Sequence, residues 1–398
     1  MPPACYLKVM LRPGPVIALT AATFAVGLGE LAVAGILPPL AGDLRVTIPV
    51  AGQLIGFYAL VFAVLTPPLA AIFGGARRKR GLLIGLAAVA LANVIAAAAP
   101  NYLILLGSRL LAAAGSALVS PLALSLIDDV VPLERRGRAQ GIVFAGFSVA
   151  MTVGVPLGAL IADHFGWRWV FAGIALACVL AALLGGRLRI AQPAAATPAW
   201  TFARSGLTPA VIRLLTISFL ILAAQYAVFT YLRPYISETG GYGVGASAFL
   251  LFLLGAFGIV GNIVGGLAFD RWGAKKTIVA CVTANIVLFV ALRFLPGPLP
   301  VTAALFILWA IASWAYSPSV NVELAASTGE QRDVALALNM TAFNLGIAGG
   351  SALGGVVIVT SGIANVVLLG ALLLVPALVL SATLPARRQS SPPSVHYS

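Results

Sequence analysis

Long apolar runs recur from one end of the chain to the other, separated by short breaks of polar residues, proline and glycine. Each run is about 20 residues long, the length that a helix needs to cross a hydrocarbon core about 30 Å thick. The runs are continuous, whereas membrane β-strands alternate between lipid-facing and lumen-facing residues, so a β-barrel is excluded. The pattern predicts an all-α integral membrane protein with twelve transmembrane helices, at roughly 16–40, 50–74, 82–99, 102–127, 139–162, 168–186, 211–235, 247–269, 277–294, 301–320, 335–359 and 365–384.

The chain also contains an internal repeat, which predicts two pseudo-symmetric halves of six helices each. "GGARRK" from Gly74 and "WGAKK" from Trp272 each follow the second span of a half, and the Gly-x-x-x-Gly pair at Gly154 is matched by another at Gly350. Parallel repeats of this kind place a substrate site near the midplane, between halves that rock against each other. The predicted boundaries are 1–186 for an N-terminal bundle, 187–210 for a cytoplasmic linker, 211–384 for a C-terminal bundle and 385–398 for a cytoplasmic tail.

Composition and charge narrow the class further. The chain is 61% hydrophobic and 9% charged, with a net charge of +13, whereas soluble domains are about 25% charged. If both termini are cytoplasmic, the outer side holds only Arg45, Arg168, Arg233 and Arg293, which is the positive-inside pattern. The basic excess therefore orients a multi-pass protein in the lipid bilayer, and we expect no nucleic-acid partner.

Cysteine and histidine indicate neither a disulfide framework nor a metal site. The chain has an odd number of cysteines, which are Cys5, Cys178 and Cys281. Its two histidines, His164 and His396, lie on opposite sides of the predicted membrane. The spans show no metal-ligand spacing and no nucleophile with a general base, so we expect neither an enzyme nor a bound metal. The chain lacks the G-x-x-x-x-G-K-[ST] phosphate loop, and an ATP-driven pump is not supported.

One carboxylate lies deep in an apolar run. Glu30 in "TFAVGLGELAVAG" is about 22 Å from the start of the first span, at 1.5 Å per residue. The other acidic residues fall in loops or at span ends. A charge at this depth costs about 3 kcal/mol, so a membrane-embedded carboxylate is by default a functional hypothesis. We predict that Glu30 carries a proton; the alternative is a structural carboxylate that never titrates.

Arg109 is the only cation predicted inside a span, and it is therefore the natural charge partner of Glu30. The alternative is a structural role, in which Arg109 only ties the fourth span to its neighbours. The glutamate shares one helix face with small or mildly polar residues, because Thr23, Gly27 and Ala34 follow the same spacing. That face is expected to meet a cavity or a neighbouring helix.

Amide and aromatic side chains inside the spans are candidates for a substrate surface, because they orient polar groups in a mostly apolar pocket. Each of them has an alternative role, in an interfacial aromatic belt or in a bridge between helices. The candidates are Gln53, Tyr58, Gln225, Tyr226, Tyr231, Trp314, Asn339 and Asn344.

Several motifs resemble the major facilitator superfamily. "GLAFDRWGAKK" from Gly266 resembles its G-x-x-x-D-R-x-G-R-K gating loop, and Arg109 resembles its fourth-span arginine. "GVPLGALIADHFGWRWVF" resembles the Gly-Pro motif that the superfamily associates with antiporters. "PLERRGRAQG" and "TAFNLGIAGGSALGG" resemble the drug:proton antiporter branch, especially its arabinose-efflux-like and purine-nucleoside-efflux-like members. The residues that match the loop and the Gly-Pro motif are Asp270, Arg271, Gly273, Gly154, Pro156 and Gly158.

The chain departs from the superfamily pattern at two positions. Ile72 stands where the first-half loop would carry its aspartate, and Val155 separates Gly154 from Pro156. The gating role that the superfamily assigns to that aspartate therefore has no matching carboxylate in the first half, and Asp270 is the single copy.

The resemblance implies a monomeric transporter of the bacterial inner membrane, with both termini cytoplasmic, that uses the proton gradient and no cofactor. It implies export, by antiport and alternating access, of a small organic molecule such as a drug, sugar or nucleoside. The alternatives are a proton symporter that imports a sugar or nucleoside and, from another class, a membrane sensor or scaffold that transports nothing.

Overall fold

The computed structural model describes residues 13–132, 135–188, 208–294, 297–328 and 332–384, and these residues form helices and no strand. Polar breaks separate the helices, which are α1 (Pro13–Asp43), α2 (Ile48–Phe73), α3 (Arg78–Ala97), α4 (Tyr102–Ser125), α5 (Ile127–Val130), α6 (Arg136–Val149), α7 (Val155–His164), α8 (Trp167–Gly186), α9 (Pro209–Phe229), α10 (Leu232–Gly240), α11 (Val244–Phe294), α12 (Leu299–Thr328), α13 (Arg332–Ser361) and α14 (Val366–Ala382).

Within the described part of the chain, eleven helical segments are long and apolar enough to cross a membrane. One of them, α11, supplies two spans, because Gly273 interrupts it with a left-handed φ of 76°. The prediction of twelve spans is therefore confirmed. The predicted linker and tail fall largely on 189–207 and 385–398, outside the described residues, and the boundaries of the two halves stay a prediction.

Local signals in the polar breaks explain where several helices begin. The Thr47 hydroxyl accepts a hydrogen bond from the Val50 amide at 3.4 Å, and the Asn101 side chain accepts one from the Ile104 amide at 3.0 Å. Such caps satisfy amides that have no partner inside the helix. At the start of α9, Thr208 caps the helix and Pro209 occupies its first position, where the missing amide hydrogen costs nothing.

Glycines with left-handed backbone occur at matching places in the two halves. Gly75 and Gly273 follow the second span of each half with φ 61° and 76°, and Gly166 and Gly362 precede the sixth with φ 98° and 88°. A residue with a side chain is strained in this conformation, so these turns require glycine. Asp270 and Arg271 of the loop motif are exposed immediately before the Gly273 turn.

The fifth span consists of α6, a π-helical turn at Ala150–Gly154, and α7. Pro156 lies in the first turn of α7, where it lacks an amide hydrogen to donate, and a wider π-turn precedes it. A Cβ at Gly154 would collide with Leu28 of α1. The interrupted Gly-Pro motif thus lies where the fifth span packs closely against α1.

The two halves meet where α2 packs against α13, where α11 packs against α6 and α7, and where α10 meets α1. Small residues allow this close approach. A Cβ at Gly355 would lie 2.8 Å from the Tyr231 hydroxyl and 3.0 Å from Gln53 Nε2, and a Cβ at Gly255 would collide with the backbone of Thr152. We call the end of the bundle where α1 ends and α2 begins the outer end, following the predicted orientation.

We expect Gly255→Ala to force the halves apart, because its added Cβ meets backbone atoms that cannot rotate away. The measurement is the rate at which a water-soluble maleimide labels a cysteine placed at Ser351. This residue lies on α13 and is buried against α2. The background is the purified protein with its three native cysteines replaced.

Labelling should be several-fold faster in Gly255→Ala than in Gly245→Ala, the matched control on the same helix, where a Cβ would meet nothing within 4 Å. Equal labelling rates in the two variants would show that this contact does not control the separation of the halves.

Candidate functional site

Glu30 lies in the middle of α1, and its side chain is partly exposed. The face that it shares with Thr23 and Gly27 packs against α6: the Thr23 hydroxyl donates to the Val143 carbonyl at 2.6 Å, and a Cβ at Gly27 would lie 3.0 Å from Phe147. Glu30 is also close enough to Tyr226 in α9, which belongs to the other half, for the two side chains to interact electrostatically. Glu30 therefore lies near side chains of both halves.

Arg109 in α4 is the cation that interacts electrostatically with Glu30. Its side chain is buried, with 1% of its surface exposed. Its Nη2 donates a 2.6 Å hydrogen bond to the carbonyl of Gly29, the residue before Glu30. Arg109 interacts electrostatically with Glu30, although among the described residues no cation lies within 4 Å of that carboxylate. Arg109 thus fixes α1 to α4 beside the carboxylate without pairing with it directly.

Aromatic rings complete the setting of Arg109. Its guanidinium carbon lies 4.6 Å from the ring centroid of Tyr58 and 5.8 Å from that of Phe171, distances at which a cation is attracted to a ring face. The Tyr58 hydroxyl donates a 2.6 Å hydrogen bond to Ser116. Tyr58 is only 2% exposed, so it lies against Arg109 inside the first half and is not part of an open substrate surface.

The second half carries an uncharged network at the corresponding place. Gln225 donates to Asn285 Oδ1 at 2.9 Å and accepts from the Trp309 indole at 2.7 Å, and Ser313 also donates to Asn285 at 2.9 Å. Both ends of the Gln225 amide are thereby satisfied in a buried site. The fourth span of this half donates to its first span through Trp309, as Arg109 does in the first half.

The repeat extends to smaller contacts in the two halves. The Thr20 and Thr216 hydroxyls each donate to the carbonyl four residues earlier, at 2.8 and 2.9 Å, and Asn93 and Asn285 do the same at 2.7 and 2.8 Å. These matched contacts align Glu30 with Tyr226 and Gly29 with Gln225. The first half therefore has a carboxylate where the second has a phenol.

The remaining substrate-surface candidates separate into accessible and buried groups. Tyr226 and Trp314 are partly exposed, and a Cβ at Gly258 would lie 2.8 Å from the Trp314 ring. Asn339 is buried and donates to Asn321 at 3.0 Å, and Asn344 is buried and donates to its own helix. Tyr226 and Trp314 are therefore the candidates best placed to meet a substrate.

Gln53 and Tyr231 lie at the outer end, where they join the halves. Gln53 Nε2 is 3.3 Å from both the Tyr231 hydroxyl and the Ser351 carbonyl, and the Tyr231 hydroxyl donates to that carbonyl at 2.8 Å. Tyr231 is completely buried. These two side chains thus bridge α2, α13 and the start of α10 rather than line an open surface.

Arg233, which the sequence pattern placed only on the outer side, takes part in the contact between the halves. It is buried, with 5% of its surface exposed, and it crosses between the halves. Its guanidinium donates to the Gly35 carbonyl at 2.6 Å and forms an ion pair with Asp163. The signal that could have indicated its partner is Pro39, because a proline removes the amide hydrogen that would bond the carbonyl four residues earlier.

Comparisons with known proteins agree with this architecture. A model of the Major Facilitator Superfamily matches residues 19–330. The chain is 31% identical over 375 residues to YtbD, an uncharacterized MFS-type transporter of Bacillus subtilis, covering 92% of this chain and 93% of the relative. It is 30% identical over 346 residues to a chloramphenicol efflux pump of Mycobacterium tuberculosis, covering 85% of this chain and 84% of that pump.

Solved structures show the same fold. A bacterial homolog of the human lysosomal transporter Spinster, in an inward-facing and unoccupied conformation, superposes with a TM-score of 0.79 at 18% identity, covering 94% of this chain and 97% of that chain. The D-xylose-proton symporter superposes with a TM-score of 0.75 at 15% identity, covering 94% and 98%. Together with the family match, these findings show that the chain belongs to the major facilitator superfamily and is a multi-pass membrane transporter rather than an enzyme.

Proposed function

We propose that the protein exports a small organic molecule in exchange for protons, with Glu30 as the proton carrier. The observation that carries this proposal is the contrast between the halves. The first half places a partly exposed carboxylate beside a buried cation, whereas the second half has a fully bonded, uncharged amide network at the corresponding place. Proton exchange therefore belongs to the first half.

The chemistry needs only the residues present. Glu30 takes a proton when the region between the halves opens outward and releases it when that region opens inward, so that one O–H bond forms and breaks in each cycle. After release, the Arg109 charge offsets the carboxylate, which avoids the cost of an uncompensated charge in a poorly hydrated site. The proton gradient supplies the free energy, and no cofactor takes part.

The substrate surface that we propose is aromatic. Tyr226 and Trp314 are partly exposed aromatic side chains with one polar atom each, which suits a small molecule that has both an apolar ring and a hydrogen-bonding group. Because a relative at 30% identity is a chloramphenicol efflux pump, chloramphenicol is the first compound to test. Several relatives are bacterial, including inner-membrane protein YdhP of Escherichia coli, which supports a location in the inner membrane. The proposal that both termini are cytoplasmic rests on the positive-inside pattern of the sequence.

We expect Glu30→Gln to abolish gradient-driven export, because the amide cannot release a proton. The assay expresses the protein in a host that lacks its own pumps and measures resistance to a compound panel that includes chloramphenicol. Uptake into inverted vesicles, with and without a pH gradient, then gives the direction and the energy source.

The matched control is Glu238→Gln, which neutralises an exposed glutamate in α10 and should retain both phenotypes. If Glu30→Gln vesicles still accumulate the compound in response to the pH gradient, Glu30 is not the proton carrier.

The second-half network should affect stability and not proton coupling. Trp309→Phe removes the donor to Gln225 and leaves a buried amide oxygen unbonded, which costs about 1–3 kcal/mol. We expect a lower melting temperature in detergent and an unchanged dependence of transport on the pH gradient.

Trp169→Phe is the matched control, because Trp169 is 66% exposed and should keep the wild-type melting temperature. A loss of gradient dependence in a folded Trp309→Phe protein would assign part of the coupling to the second half.

A further inference from the structure

The carbonyl of Gly35 in α1 has no donor in its own helix. In an α-helix it would accept from the amide of residue 39, and in a tighter 3₁₀ turn from that of residue 38. Both positions are proline, Pro38 and Pro39, and proline has no amide hydrogen. A buried carbonyl without a hydrogen bond is costly, so this carbonyl needs a donor from elsewhere in the protein.

The donor comes from the opposite half of the transporter. Arg233 in α10 donates through Nη1 to the Gly35 carbonyl at 2.6 Å, and its Nη2 pairs with the Asp163 carboxylate of α7. A Cβ at Gly35 would lie 2.8 Å from the Val155 carbonyl, so α1 and α7 are in close contact here. One buried guanidinium thus binds two helices of the first half at once.

The start of α10 is itself fixed at the interface between the halves. Tyr231, which precedes α10, leaves the helical conformation with φ −108° and ψ 16°. Its hydroxyl donates to the Ser351 carbonyl of α13 and contacts Gln53 of α2. Two residues later the chain places Arg233 against α1, so the position of the guanidinium is set by buried neighbours.

We propose that Arg233 is the latch of the outer end, and that Pro39 positions its partner by withholding the α-helical donor of the Gly35 carbonyl. Opening the outer end separates Arg233 from both the carbonyl and Asp163. Closure of the outer end therefore depends on the hydrogen bond from the Arg233 guanidinium to the Gly35 carbonyl. The sequence of α1 leaves that carbonyl available as an acceptor. The contacts that form the latch do not include Glu30, so the latch stands even if Glu30 is not the proton carrier.

The test measures the distance between spin labels on cysteines placed at Thr47 and Ser237, two exposed outer-end positions on opposite halves. We expect Asp163→Asn to raise the ratio of open to closed populations about tenfold, because an ionic hydrogen bond becomes a neutral one. Pro39→Ala should raise this ratio several-fold, because the new amide hydrogen competes with Arg233 for the Gly35 carbonyl.

Pro38→Ala is the matched control. It also removes a proline, but the new amide hydrogen at residue 38 donates in an α-helix to the carbonyl of Ala34 and not to that of Gly35. It should leave the distance distribution close to wild type. If both proline variants raise the ratio of open to closed populations equally, the cause is a straighter α1. That result would overturn the role of the Gly35 carbonyl. Unchanged distributions in folded Asp163→Asn and Pro39→Ala would overturn the latch; if Asp163→Asn does not fold, the two proline variants decide.

Discussion

Helix α1 accepts hydrogen bonds on its backbone carbonyls from two buried arginines, and the functional geometry depends on these two contacts. Arg109 from the same half binds the Gly29 carbonyl, and Arg233 from the opposite half binds the Gly35 carbonyl. The two acceptors are about 9 Å apart along the helix, and Glu30 lies between them. A single helix therefore connects the proposed proton site with the contact that closes the outer end.

The two halves are related by the internal repeat, but they differ in chemistry around the first span of each half. The two halves share their left-handed glycines, their threonine and asparagine contacts, and a donor from the fourth span to the first. They differ in the chemistry of that donor and its surroundings, since Arg109 is charged and Trp309 is neutral. In the second half both polar atoms of the Gln225 side chain form hydrogen bonds, which favours a fixed conformation of this side chain. In the first half the guanidinium and the carboxylate interact without direct pairing, which supports the proposed proton exchange at Glu30.

Apolar periodicity and the repeated glycines were sufficient to predict the fold. Twelve runs of membrane-spanning length, and a repeat that aligns Gly75 with Gly273, determine the architecture because a lipid-embedded backbone must form helices. Glu30 and Arg109 could be identified because charge inside a span is costly and rare. Their separation could not be predicted, since it depends on how α1 and α4 pack.

Contacts between distant helices could not be predicted from the sequence. Tyr58, a candidate for the substrate surface, packs against Arg109 and donates to Ser116, and neither contact follows from its place in the second span. The sequence indicates Arg233 only as a cation of the outer side, because its burial arises where α10 meets α1 and α7. The adjacent prolines at 38 and 39 carried a usable signal, since they leave one particular carbonyl in need of a donor.

The central claim is that Glu30 is the proton carrier, so that its protonation changes together with the opening and closing of the outer end. The most direct measurement is the distance between spin labels at positions 47 and 237, recorded at mildly acidic and mildly alkaline pH in otherwise wild-type protein and in Glu30→Gln. The account predicts that the open and closed populations change with pH in the wild-type background and are independent of pH in Glu30→Gln, which remains in the distribution of the protonated form. A Glu30→Gln protein that keeps the full pH response would contradict the account.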